Sequence, residues 1–318
     1  GNDHNTIDNN QIKDPSVGQE PINAIFSLGT ASAGNDSIVI TNNNIFNYYN
    51  ATNSTAGIFA SSNNNAWTII GNRLFQESPL GSRLYTAAAS HYAIRITSGA
   101  GYTINNNIIG FDNASGSGIT KMIGNSVTLA GFPTGYSVAG ISVAITYTGI
   151  SCSFDPAGTV SAIDGNTIGG IAMYTSSGIT TQEGMLCGIS VLSGNANIGT
   201  IAGNTIGATT GSNSIYAATA TSGGTVVGIY TNSTGTVAIQ NNNIGGITAS
   251  GTTNTKAAGI TAINTTGTAN YTISNNIIGN ADAGNLRIGL TTTAGLLSST
   301  GTLVSTTGTG VAFKGIEC

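Results

Sequence analysis

Apolar and polar residues alternate over short stretches along the whole chain and nowhere recur at the 3.6-residue interval of a helix. One phrase dominates: an apolar residue, two residues, an asparagine, one residue, and a second apolar residue that glycine usually follows. It occurs at Ile7/Asn10/Ile12, Ile40/Asn43/Ile45, Ile69/Asn72/Leu74, Ile104/Asn107/Ile109, Met122/Asn125/Val127, Ile163/Asn166/Ile168, Ile201/Asn204/Ile206, Ile239/Asn242/Ile244 and Ile273/Asn276/Ile278. The asparagine spacings are 33, 29, 35, 18, 41, 38, 38 and 34 residues, with the short step at Asn125 standing out. A second phrase alternates with the first: a small residue, an Ile and an alternating strand. It reads NAIFSL (23–28), AGIFAS (56–61), YAIRIT (92–97), AGISVAIT (139–146), CGISVL (187–192), VGIYTN (227–232) and AGITAI (258–263), with RIGLTT (287–292) a looser match. Each repeat therefore supplies short strands joined by turns, and all five prolines fall in the variable connections, where strand hydrogen bonds are not needed.

A single repeat of this kind cannot bury its apolar side, but stacked repeats can. The inward Ile residues then form a continuous core, and each strand pairs with its equivalent one coil away. Asparagine suits the bend between the two short strands because it tolerates the left-handed backbone conformation. With coils about 4.8 Å apart, successive amides can donate to one another along the axis. These phrases resemble the repeat of right-handed parallel β-helix proteins, the pectate-lyase-like superfamily, from about residue 4 to 292. The resemblance implies an all-β solenoid of about nine coils with an internal ladder of Asn10, Asn43, Asn72, Asn107, Asn125, Asn166, Asn204, Asn242 and Asn276. Residues 1–292 would form the coils and 293–318 a divergent last coil or capping tail.

Composition narrows the class. Charged residues make up 6% of the 318 positions, and none occurs from Gly184 to Thr255. A net charge of −4 with eight basic residues offers no cationic face for nucleic acid. The apolar-looking stretch 137–154 has the length of a membrane span, but Ser, Thr and Gly interrupt it and it alternates like a strand, so no membrane embedding is expected. Low charge with abundant Asn, Gly and Thr most resembles large bacterial cell-surface β-helix proteins, which implies a secreted location. The three cysteines (Cys152, Cys187, Cys318) have no metal spacing; a Cys152–Cys187 disulfide is compatible with the order but not demanded by it. Seven glycosylation-type sequons follow from the composition and indicate only exposed loops.

In enzymes of the superfamily, the resemblance implies clustered acids holding Ca2+ and a Lys or Arg that abstracts a proton from a uronic acid. Here Asp112, Asp155, Asp164, Glu183 and Asp282 are scattered, and no metal site or cofactor is expected outside such a lyase alternative. The one stretch that breaks the monotony is 67–95, with Trp67, Arg73, Glu77, Arg83, Tyr85, His91, Tyr92 and Arg95. With Ile94 and Ile96 inward, alternation places His91 and Arg95 together on the outward face. The outward residue after each conserved Ile reads Phe26, Phe59, Arg95, Thr120, Ser142, Ser190, Tyr230, Thr261. This row is too irregular for a flat ice-binding array. Aromatic faces beside a cation suit sugars or an acidic polysaccharide. The carbohydrate-binding candidates are thus Phe26, Phe59, Trp67, Tyr85, Tyr92 and Arg95, and under a lyase alternative Arg83, His91 and Arg95 would be catalytic. A structural alternative has the 75–90 loop covering Phe59 and tied down by Arg95.

The first motif begins at Ile7, which leaves little room for a cap. That start suggests a piece of a longer protein, or coils that stack on neighbouring domains or copies. The leading expectation is a non-catalytic structural or adhesive segment of a surface protein or filament, with surface polysaccharide as a further partner.

Overall fold

A computed structural model describes residues 1–14, 20–77, 82–124, 142–179, 182–211, 214–220, 222–251, 258–282, 284–291, 303–304 and 312–318. Among them there is no helix. The chain is an all-β solenoid of parallel sheets, in which each strand pairs with its equivalent in the next coil.

Four strand positions recur around the coil. The first sheet holds Thr6–Asp8, Val39–Thr41, Thr68–Ile70, Thr103–Asn105, Ser161–Asp164, Ala196–Ile198, Thr236–Gln240 and Asn270–Ser274. The second follows it across the asparagine bend: Gln11–Lys13, Asn44–Phe46, Arg73–Phe75, Ile108–Gly110, Thr167–Gly169, Thr205–Gly207, Asn243–Gly245 and Ile277–Ile278. A third sheet, not anticipated as a separate wall, begins at Ser82–Leu84 and continues through Thr120–Ile123, Ile171–Thr175, Ile215–Thr219, Ile247–Gly251 and Leu286–Thr291 to an antiparallel Leu303–Val304. The fourth carries the small-residue–Ile phrase: Asn23–Ser27, Thr55–Ala60, Ala89–Ile96, Ile145–Ser153, Leu186–Ser193, Gly224–Thr231, Ala258–Thr265 and Phe313–Glu317. The stretch 137–154 thus contributes a fourth-sheet strand.

Isoleucine columns fill the interior. Ile40, Ile69, Ile104, Ile163, Ile198 and Ile239 stack in register and are fully buried. Register corrects several assignments made by phrase. Ile198, not Ile201, occupies the core in its coil, because three extra residues bulge out before Asn204 and leave Ile201 85% exposed. In the fourth sheet the partner of Ile94 and Ile189 is Ile150 of TGIS, while Ile141 of the earlier AGIS lies outside the described residues. Likewise Ile263 rather than Ile260 pairs with Ile229. RIGLTT lies in the third sheet, and the last fourth-sheet strand is FKGIE at 313–317.

The bend uses two residues where one was expected. Asn9, Asn42, Gly71, Asn106, Gly165, Asn241 and Asn275 take positive φ, and each immediately precedes a ladder asparagine. The ladder residue is thereby freed to turn inward.

Candidate functional site

The ladder is the most regular polar feature. Asn10, Asn43, Asn72, Asn107, Asn166, Asn204 and Asn242 each donate from Nδ2 to the Oδ1 of the next rung at 2.9–3.1 Å, ending at Asn276. The same oxygens accept the preceding rung's backbone N–H. From Asn43 onward, each Nδ2 also donates to an isoleucine carbonyl one coil back, as Asn204 does to Ile163 at 2.8 Å. An interior rung therefore uses both donors and both acceptor sites of its amide. Asn125 lies outside the described residues, and Asn107 bonds Asn166 directly across 59 residues of chain. The Met122 of that motif, the fifth along the chain, belongs to the third sheet and not to the first-sheet column of the other motifs.

Residues 67–95 divide between inside and outside. At the small residue of the fourth sheet (Gly57, Ala93, Gly188, Gly228) the strand bends, so residues three apart, such as Leu186 and Ile189, both face the core. Strict alternation consequently fails across Ala93. His91 is interior, 2% exposed, in the row of Tyr147 and Leu186, while Arg95 faces out. The His91 ring stacks between Tyr48 at 5.0 Å and Tyr147 at 5.6 Å. Its Nδ1 is 2.7 Å from Thr55 Oγ1 and 3.5 Å from Tyr85 Oη. Burial, aided by the Arg83 charge, lowers its pKa from 6.5 to about 3, so the ring is neutral near pH 7. Burial pushes the Tyr48 and Tyr85 hydroxyls well above their ordinary range.

Arg83 occupies the inward row that holds Met122 and Met173 in later coils. Its Nε donates to Gln76 Oε1 at 2.8 Å and its Nη2 to Asn47 Oδ1 at 2.9 Å. Nη1 pairs with Glu20 at 3.3 Å, both side chains being under 10% exposed, and the guanidinium lies 5.2 Å from the Tyr49 ring centre. Gln76 reaches back to the Tyr48 carbonyl at 3.0 Å. Together these side chains form a polar plug inside the coils where the third sheet begins. It is Arg83, rather than Arg95, that ties the 75–90 segment down.

Two of the six carbohydrate candidates are also interior: Trp67 is 1% exposed with its indole N–H on the Asn35 carbonyl at 2.7 Å, and Tyr85 is fully buried. Phe26, Phe59, Tyr92 and Arg95 remain outside. Phe26 and Phe59 meet edge-on at 5.4 Å, and Arg95 sits over Phe59 at 4.9 Å and Tyr92 at 4.7 Å. Among the described residues no hydrogen-bond acceptor or carboxylate engages the Arg95 side chain. The outward row actually runs Phe26, Phe59, Arg95, Ser151, Ser190, Tyr230, Asn264, Glu317. Thr120 is in the third sheet; Ser142 precedes the strand, and Thr261 pairs with Val227 one row away.

No group of three or more His, Cys, Asp or Glu side chains lies together among the described residues, so they offer no acidic cluster suited to Ca2+. Cys152 faces the core and Cys187 faces outward, so the two stay free thiols, and burial raises both pKa values. No protein-family model, curated protein or solved structure matches the chain.

Proposed function

We propose that this chain is a non-catalytic structural module, a β-helical spacer of the pectate-lyase-like kind, displayed in a secreted bacterial surface protein or filament. The separation of Arg83 and His91 from Arg95 carries this reading. Proton abstraction from a sugar needs a base, an acid and substrate in one accessible space. Here two of the three candidates are packed inside the solenoid and the third is on its outer face. An asparagine ladder whose interior rungs are fully bonded, and stacked isoleucine columns broken only by the bonded plug at Arg83, suit a rigid rod.

The test is incubation with polygalacturonate, alginate and a neutral glucan, with and without Ca2+, following chain length by viscosity and unsaturated product by absorbance. No shortening is expected. Depolymerisation that disappears in Arg83→Ala and in His91→Ala variants that retain strand content would overturn the proposal.

A second reading, adhesion to an acidic glycan, is favoured by the Arg95 guanidinium lying over two rings without an acceptor. Retention on immobilised polygalacturonate that is lost in Arg95→Ala and falls with salt would support it; equal retention of Arg95→Ala would end it.

A further inference from the structure

The seven Asn-x-Ser/Thr sequons do not all lie on exposed loops. Asn264 is buried in the fourth sheet, and Asn35 and Asn270 sit in paired strands. In Asn53-Ser54-Thr55 the third residue is 1% exposed, and its hydroxyl is bonded to His91. Asn50, Asn113 and Asn232 remain, each outside a strand.

A sequon asparagine takes a sugar on its side-chain nitrogen, and the hydroxyl two residues on is part of what the transferase reads. Around Asn50 these two groups are brought together. The 47–54 connection runs from the second-sheet strand Asn44–Phe46 to the fourth-sheet strand Thr55–Ala60, in the coil before the third sheet begins. Asn50 Oδ1 accepts the Thr52 N–H and the Thr52 hydroxyl at 3.0 Å each, the Asn53 N–H at 2.9 Å and Asn53 Nδ2 at 3.0 Å. The result is an Asx turn whose next residues, Thr52, Asn53 and Ser54, are exposed. Asn50 Nδ2 itself meets no acceptor among the described residues. Four donors on one carboxamide oxygen favour the form in which negative charge has moved onto that oxygen, and so ease departure of a proton from the nitrogen.

The other two sequons each lack one part of this arrangement. Asn113 repeats the turn, with Ser115 and Ser117 donating to its Oδ1. Its Nδ2, however, is engaged by Asp112 Oδ1, Ser117 O and Ser117 Oγ, all at 2.9 Å. Asn232 Oδ1 accepts the hydroxyl of Thr266 from the next coil at 3.4 Å, and Ser233, between Asn232 and Thr234, is fully buried.

We propose that Asn50 is an acceptor for an N-linked sugar, drawn from a donor whose C1 is joined to phosphate, either a nucleotide sugar or a lipid-linked oligosaccharide. Nδ2 bonds to C1 as the C1–O bond to phosphate breaks. The phosphate leaves with the electron pair, and one Nδ2 proton passes to a base on the transferase. This site goes beyond the spacer reading and does not depend on it.

The test presents the purified, folded 318-residue chain to two donors separately. One is UDP-glucose with a soluble N-glycosyltransferase; the other is polyprenyl-pyrophosphate oligosaccharide with a membrane oligosaccharyltransferase. Peptide mass mapping locates the sugar, and the donor that works identifies its source. Transfer to Asn50, with Asn113 and the other sequons unmodified, is expected. Asn50→Gln and Thr52→Val should both lose it, and Thr52→Ser should keep it. All three substitutions fall in the connection and not in a strand, so circular dichroism should match the parent. No transfer from either donor, transfer to Asn113 as fast as to Asn50, or a Thr52→Val variant modified at the parent rate would overturn the proposal. The polysaccharide incubations above read a different product, so failure here leaves the spacer reading standing.

Discussion

Asn204 illustrates what a ladder residue does that an apolar residue of similar size cannot. Its amide receives Asn166 Nδ2 at 2.9 Å and Asn166 N at the same distance, and it donates to Ile163 O and to Asn242 Oδ1. Replacing it with Ala leaves two buried N–H groups of Asn166 without partners, each costing about 1–3 kcal/mol, while Ile163 O keeps Gly199 N and Asn242 Oδ1 keeps the backbone N–H of residue 204. Asn204→Ala should therefore lower stability in urea by about 2–6 kcal/mol, whereas Asn10→Ala, where water reaches the rung, should cost under about 1 kcal/mol. Equal losses at the two positions would mean that the ladder adds nothing to packing. His91 gives a pH-dependent counterpart. The unfolded ring takes a proton at 6.5 and the folded ring only near 3, so the unfolded state binds more protons between those values. Stability is full above that window and declines as pH falls through it, by on the order of 3 kcal/mol at pH 4. His91→Phe keeps an aromatic ring between Tyr48 and Tyr147 and should remove this part of the acid sensitivity. If urea midpoints of parent and variant fall in parallel from pH 7 to 4, the buried ring is not responsible.

At the level of strands, the small residue of the fourth sheet sets both the bend and the approach to the second sheet. A Cβ on Gly188 would lie 2.6 Å from the Gly228 carbonyl oxygen and 2.7 Å from Ile206 Cγ2. Ala93 and Ala262 occupy the same column and are buried, so the wall can yield enough for one methyl group. Gly188→Ala should cost about 1–3 kcal/mol, and Gly188→Val, with branching at Cβ, more than that. Thermal melts of the pair check the order; a Val variant as stable as the Ala variant would refute the close approach. The same bend explains what sequence reading could reach. Ile-x-x-Asn-x-Ile was legible because both Ile columns are buried in the interior coils and the asparagine must recur for its neighbours' sake. The face of His91 was not legible, because the Ala93 bend breaks the period of two that set His91 beside Arg95. The third sheet was also hidden: strands such as IAMYT and IYAAT are short, apolar on both faces and carry no recurring residue. Asn-Asn and Gly-Asn pairs divide two roles between them, the first member taking positive φ, except at Gly203, and the second joining the ladder.

Over the whole molecule, strand pairing joins each coil only to its neighbours, with a few side-chain bonds such as Asn285 Nδ2 to Gly211 O and Arg83 to Glu20 reaching two coils away, so stability is close to a sum of coil and interface contributions and opening proceeds from the ends. Ionic contacts matter little to that sum. The described residues contain two salt bridges, one inside the plug and one, Lys314–Glu317, at the surface. Burial and amide bonding, which are least complete at the ends, must set the gradient. The backbone N–H groups bonded to ladder amides form a row of probes for it, since Asn10, Asn43, Asn72, Asn107, Asn166, Asn204 and Asn242 make the same bond at 2.9–3.1 Å. Identical bonds with different exchange rates report position in the stack and not local geometry. Hydrogen exchange should be slowest at Asn107 and Asn166 and faster by at least about tenfold at Asn10 and Asn242, a difference of about 1.4 kcal/mol in local opening. The plug at Arg83 and His91 adds a local constraint near Asn72, so protection should fall less steeply toward the low-numbered end than toward Asn276. Uniform protection along the row would instead mean that the solenoid opens as one cooperative unit, and the nearest-neighbour description would fail.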